Sequence, residues 1–232
     1  MSTPLTVYLL KDFFENALDL SGEVLSAIYD GTNTVITACD IFHLREQMSV
    51  LIDGSPYVVI SVDQDLNTFT VAGDLSASVG FVVSNPFYFW GTPLQAQTEL
   101  SNTAPADKYP FVYLKEIIKE RNFDQFASLE RESDVRIFFL DEMNKQDWHT
   151  AELYSNVLVG LNKLVDAVIL QLRADTRFFT ESTTFERINH SDFGLKIVTN
   201  QGHIEALFAD NLSGVEFVFT LSVRSCCACD NC

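Results

Sequence analysis

The sequence predicts an α+β protein: one curved, mainly antiparallel sheet with two helices on a single face, and a small β-barrel inserted into it. Three observations carry that prediction. Two apolar stripes at helical spacing stand far apart, one at the start of the chain and one over residues 150–173. Between them, residues 32–95 hold short β-branched segments separated by turn residues at close intervals. Beyond residue 108, strand-sized apolar runs flank the second helix on both sides, and a sheet with helices on one face buries all of these stripes together.

The first stripe runs through Leu5, Leu9, Phe13 and Ala17, widened by Leu10, Phe14 and Leu18. A second short helical turn is expected over Val24–Tyr29, closing at Asp30-Gly31. From Thr32 the character changes to strands: VITAC, MSVLI, YVVISV, TFTVAG and GFVVS. Asp53-Gly54 between two of them is a tight-hairpin signal, because the favoured two-residue turns need positive φ. Asp65-Leu66-Asn67 marks another reversal. Five short strands so closely spaced suggest a strongly curved barrel. The aromatic run Pro86-Phe87-Tyr88-Phe89-Trp90 reads as barrel core, with an exposed patch as the alternative, and QAQTELSNTAPAD reads as a polar link.

Further strands are expected at Phe111–Ile118 and Val135–Leu140. A long helix over Thr150–Arg173 then carries Leu153, Val157, Leu161, Leu164, Val168 and Leu172. Thr184–Asn189, Leu195–Thr199 and Val215–Val223 follow as strands, the last alternating with Val215, Phe217, Phe219, Leu221 and Val223 on one side. The expected domains are a discontinuous α+β body, 1–31 with 96–225, an inserted barrel, 32–95, and a Cys-rich tail, 226–232.

Composition narrows the function. The formal charge is −17, from 32 acidic and 15 basic residues. Such a field repels phosphate, whose binding depends on Lys and Arg displacing counterions, so a conventional nucleic-acid-binding role is rejected. No apolar run approaches the roughly 20 residues of a membrane span, and MSTPLTVYLLKDFFEN lacks the basic lead of a secretion signal. The chain is therefore expected to stay where it is made. Four of five cysteines, Cys226, Cys227, Cys229 and Cys232, crowd the last seven residues, and only Cys39 lies in the body. That is no disulfide framework, and a reducing compartment is the simpler assumption.

Catalytic patterns are missing: the sequence has no Gly-rich phosphate loop, GxSxG elbow or HExxH helix. His43, His149, His190 and His203 are not spaced with one another or with carboxylates as helical metal ligands are. His190 and His203 read as polar residues at strand ends and turns. Glu130 to Asp134 and Asp141-Glu142 are expected to flank one strand, roughly 20 Å apart, too far to converge as an acid/base pair. A solvated rim or an interface is the better reading, with Arg131 and Arg136 pairing with a neighbouring subunit's acids. CCACDNC has the thiols for a zinc site but not the two-to-four-residue gaps; metal binding, cross-linking and an incidental thiol-rich tail stay open. No enzyme activity, cofactor or resident metal is expected.

Tyr109 to Leu114, Glu130 to Ser133, Arg136 to Glu142, Asp147-Trp148, Ile188 to His190, Phe193-Gly194, Gly202-His203 and Asp210 to Glu216 together carry a resemblance. The region from Lys108 to Val223, with the first helix, resembles tail-terminator and neck (head-tail joining) proteins of tailed bacteriophages; the barrel is not part of a minimal terminator. The resemblance implies a virion protein, assembled in the bacterial host cytoplasm. It further implies a homo-oligomeric ring, commonly a hexamer, that caps the tail tube and joins it to the head connector, with genomic DNA passing an acidic lumen unbound. The contact residues expected on this reading are Arg131, Glu132, Arg136, Asp141, Trp148, Asp210, Asn211 and Gly214. The alternative is another tail or neck adaptor whose barrel binds a fibre, baseplate or capsid component.

Overall fold

The structure is a computed structural model. It describes residues 6–39, 41–78, 80–104, 108–115, 119–125, 128–143, 150–179, 185–193, 196–198, 204–206 and 211–224. Its architecture is α+β, with a closed six-stranded barrel and a seven-stranded sheet.

Helix α1 (Thr6–Asp12) continues through one π turn, Phe13–Ala17. Leu10, Phe13, Phe14 and Leu18 are buried while Ala17 is exposed, so the core-facing stripe is the one that widens the Leu9–Phe13 line. The barrel follows: β1 (Ser21–Tyr29), β2 (Asn33–Ala38), β3 (Ser49–Ile52), β4 (Ser55–Asp63), β5 (Thr68–Ala72) and β6 (Gly80–Val83). They close in the order β1-β2-β5-β4-β3-β6, every pair antiparallel. Ile36, Val50, Ile52, Val59, Phe69, Val71, Phe81 and Val83 fill the inside, each side chain worth about 1.5–3 kcal/mol on burial. Asp53 and Gly54 have φ of 48° and 82°, the positive values expected of the β3–β4 hairpin.

The helical turn expected at Val24–Tyr29 is instead part of β1. A bulge between Val24 and Ser26 breaks the two-residue alternation. Val24 and Ala27 then turn inward and Leu25 and Ile28 outward, a spacing of three that imitates a helix in the sequence. The barrel strands therefore begin at Ser21, inside the segment assigned to the α+β body, and end at Val83.

The large sheet is built on β10 (Ser128–Glu142) and β15 (Leu212–Arg224), paired antiparallel from Glu130↔Arg224 to Glu142↔Leu212. On the far side of β10 lie β9 (Lys119–Gln125) and β8 (Phe111–Lys115); beyond β15 lie β11 (Phe178–Phe179) and β12 (Glu186–His190). The aromatic run forms β7 (Phe87–Gly91), parallel to β8, so it belongs to this sheet and not to the barrel. A separate hairpin joins β13 (Lys196–Val198) to β14 (Ile204–Ala206).

Helices α3 (Thr150–Leu153) and α4 (Val159–Ala174), joined by a π turn at Tyr154–Leu158, make the second long helix. Its six stripe residues are all buried. With α1 they cover one face of the sheet, against Val135, Ile137, Phe139, Val215, Phe217, Phe219, Leu221 and Val223. The same core continues into the barrel. A buried bond of 2.8 Å between the Thr6 and Ser133 hydroxyls fixes α1 on β10.

The first part of the segment read as a polar link, through Asn102, is helical, in α2 (Pro93–Asn102). Thr92 caps it: its hydroxyl accepts the Gln95 N–H, and the Gln95 side chain accepts the Thr92 N–H at 3.0 Å. Only Ala96 and Leu100 are buried, which is why its apolar stripe is faint in the sequence. They pack on Phe111, Tyr113, Phe138 and Leu140, on the sheet face opposite α1 and α4.

Gly160 marks a close contact between α4 and the loop that joins β2 to β3. A Cβ there would lie 2.6 Å from the Phe42 carbonyl oxygen, so any side chain forces the 41–45 loop off the helix. Gly160→Ala is expected to destabilise by about 1–3 kcal/mol despite the helix preference for Ala, measured as a drop in melting temperature.

Candidate subunit-contact surface

Alternation along β10 sends Glu132, Asp134, Arg136, Phe138 and Leu140 to the face opposite α1 and α4. That face has two halves. Toward β7 it is aromatic and covered: Phe87, Phe111, Tyr113 and Phe138 stack in succession, α2 and Phe193 close over them, and the Tyr113 hydroxyl donates to the Gly91 carbonyl at 2.9 Å. Toward the start of β10 the face is charged and α2 does not reach it.

Two ion networks occupy the charged half. Arg121 of β9 reaches Glu132 and Asp134, each at 3.4 Å, and the Thr220 hydroxyl donates to Asp134 at 3.3 Å. Arg136 holds Glu216 at 3.1 Å through its Nε, while the other oxygen of Glu216 meets His190 Nε2 at 2.9 Å. Glu216 is 6% exposed, so its charge is compensated from both sides. Arg121 and Arg136 keep about half of their side-chain surface open to solvent, and among the described residues their partners use only part of each guanidinium fork.

The eight expected contact residues fall into three groups. Glu132 and Arg136 stand together on this charged face; Arg131 directly precedes Glu132 in β10, and Asn211 is exposed beside β15. Trp148 and Asp210, like His149, His203 and the cysteines of the tail, lie outside the described residues. Asp141 and Gly214 are interior. Gly214 faces the Phe139 carbonyl so closely that a Cβ would sit 2.4 Å away, and backbone packing accounts for its identity. Asp141 is buried and bound to Arg45. The acids expected at opposite ends of a short strand are all within the longer β10, and Asp141 turns to the opposite face from Glu132 and Asp134.

The seam between barrel and sheet holds groups that the sequence did not single out. Arg45 Nε donates to Asp141 Oδ2 at 2.6 Å and its Nη2 contacts the same oxygen, while Oδ1 accepts the Glu142 N–H at 2.8 Å. His43 is 4% exposed, and neither ring nitrogen has a hydrogen-bond partner among the described residues. Burial, reinforced by the Arg45 charge, lowers its pKa from 6.5 to about 4. It lines a cavity of about 490 Å³ with Leu20, Phe42, Lys163, Asp166 and Leu170. A second cavity, of about 320 Å³, includes Tyr88, whose buried hydroxyl also lacks a partner and has its pKa raised by burial. The one signal for this seam is Arg45 itself, the lone basic residue in the barrel segment.

Among the described residues, no group of three or more His, Cys, Asp or Glu is arranged to hold a metal ion. No described helix is long and apolar enough to cross a membrane. Comparison with protein-family models, with curated proteins and with solved structures finds no match.

Proposed function

We propose that this chain is a ring-forming structural protein of a tailed-phage neck, a tail terminator that caps the tail tube and meets the head connector. The charged half of the sheet face carries the reading. It presents both signs of charge at fixed positions on rigid strands, with Arg121 and Arg136 beside Glu132, Asp134 and Glu216. In a head-to-tail ring, one copy's cations face the next copy's anions, and rigid placement sets the rotation between neighbours. The net charge of −17 fits a lumen through which DNA passes without adhering.

Native mass with negative-stain imaging tests this. The wild type should form closed rings of one discrete mass with a central hole, and Arg121→Glu, whose partners Glu132 and Asp134 are not buried, should remain folded but lose the ring. A wild type that stays monomeric at every concentration sinks the ring reading. Intact rings in Arg121→Glu remove this face from the contact. The second reading, an adaptor that binds a fibre, baseplate or capsid component through the barrel, is favoured by an apolar strip on the barrel's outer wall.

A further inference from the structure

The outer wall of the barrel carries contiguous aliphatic surface. Register places Val82 of β6 opposite Leu51 of β3, and Leu51 opposite Pro56 of β4. Val58 and Ile60 continue the strip along β4, Ile60 at the bulge between Val59 and Ser61. Leu51 is 43% exposed, Val82 44%, Val58 54% and Ile60 42%. Their neighbours Val50, Ile52, Val59, Phe81 and Val83 point inward and are buried, so the barrel core is complete without them. The strip spans three strands, roughly 10 Å across, and a further 13 Å or so along β4. Scattered exposed aliphatics are ordinary, but a connected row on adjacent strands marks a contact surface.

Charge identifies what fits it. Between Ser21 and Val83 the sequence has eight acidic residues, one arginine and no lysine. The arginine, Arg45, is committed to Asp141 at the seam. Glu23 is exposed and pairs with Gly80, two residues from Val82 along β6, and Asp63 is exposed at the end of β4 beyond Ile60. Aliphatic surface is thus edged by carboxylates with no free barrel cation among the described residues. A second copy of this barrel would bring the same sign to the same place and be repelled, and an anionic lipid surface would be repelled likewise.

We infer that the β6-β3-β4 wall of the barrel is a docking surface for a basic segment of a different protein, one that seats aliphatic side chains on Leu51, Val82 and Val58 and sets Lys or Arg against the acidic edge. The inference concerns the barrel alone and does not depend on ring formation by the sheet.

Fluorescence anisotropy of the full-length chain with labelled short peptides tests it. The three probes alternate Lys with Leu, Lys with Ser, and Glu with Leu. The Lys/Leu peptide should bind tightest and weaken with salt. Leu51→Ser with Val82→Ser should lower its affinity roughly tenfold or more, without lowering the melting temperature, since both side chains are largely outside the core. Val58→Ser alone is the second variant, with a smaller loss expected, and it decides the matter if the double variant misfolds. Equal binding of the Lys/Ser peptide, or affinity unchanged by the strip variants, overturns the inference. So does a wild-type oligomer that the strip variants disperse, because that result assigns the strip to a second copy. Ring mass read on the same variants keeps the two proposals apart: strip changes should leave it intact, whereas Arg121→Glu should not.

Discussion

Replacing Asp141 with Ala is expected to destabilise the fold by about 3 kcal/mol or more, and to loosen the barrel before the sheet. The carboxylate is 4% exposed at the end of β10 and holds Arg45, which comes from the loop between β2 and β3. Bringing both ions out of water is costly, and it is offset only while they face each other with their remaining lone pairs bonded, as Asp141 Oδ1 is by the Glu142 N–H. Remove the acid and the guanidinium is left against the sheet with its main partner gone. Arg45 keeps 23% of its side-chain surface open, so it partly escapes to water, which places the cost at the lower end of the range for breaking a buried pair. Arg45→Met with Asp141→Leu should recover most of the loss, because no ion is then stranded. Urea denaturation at constant m measures both variants. Hydrogen exchange should show the 41–48 loop losing protection first. A loss below about 1 kcal/mol for Asp141→Ala would mean that the pair contributes no more than a surface one.

The seam explains what was legible in the sequence and what was not. Elements whose apolar residues repeat at a fixed period were read directly: α1, the α3–α4 helix, β15 and most of the barrel strands, since burial on one face imposes that period. Where another constraint replaced the period, the reading failed. The bulge in β1 turned a strand into an apparent helix. α2 buries only two residues, and its capping pair, Thr92 and Gln95 around Pro93, was a better signal than its hydropathy. β9 and the first half of β10, KERNFDQ and SLERESD, carry one large apolar residue each, Phe123 and Leu129, so the long hairpin left no apolar period. Asp141 looked like one more surface acid because its partner is 96 residues away. Pairing across that separation is set by topology, which the local sequence does not encode. Of the residues proposed for the contact, Glu132 and Arg136 share the charged face of β10, whereas the inward turn of Asp141 and Gly214 was not legible in the sequence.

His43 gives the second large effect, a loss of stability on mild acidification. The ring is neutral in the folded protein, with a pKa lowered from 6.5 to about 4 by burial first and by the Arg45 charge second. The Leu20 backbone favours the protonated form slightly but makes no bond of normal geometry to either nitrogen. Between these two values the unfolded chain binds a proton that the folded chain refuses, so acid favours unfolding. The contribution is intact above pH 6.5, falls through the interval, and is fully lost below pH 4. Its size is about 3 kcal/mol. Around the same cavity Lys163 adds positive charge, while Asp19 and Asp166 supply negative charge, Asp166 being paired with Arg187. The described carboxylates with lowered pKa lie elsewhere: Asp12, held down by the Asn16 side chain and Arg177; Asp175, held down by Arg177; Asp30, held down by the Asn33 and Thr32 N–H groups; and Asp74, held down by Ser76. Their contributions are lost only as pH falls below their ordinary value of 3.8, so the two windows separate. Denaturation midpoints taken across pH 4 to 6.5 should therefore slope in the wild type and flatten in His43→Leu. That variant also removes two unsatisfied buried nitrogens and should match or exceed the wild type at neutral pH. An equal slope in both would leave His43 without a share in the acid sensitivity.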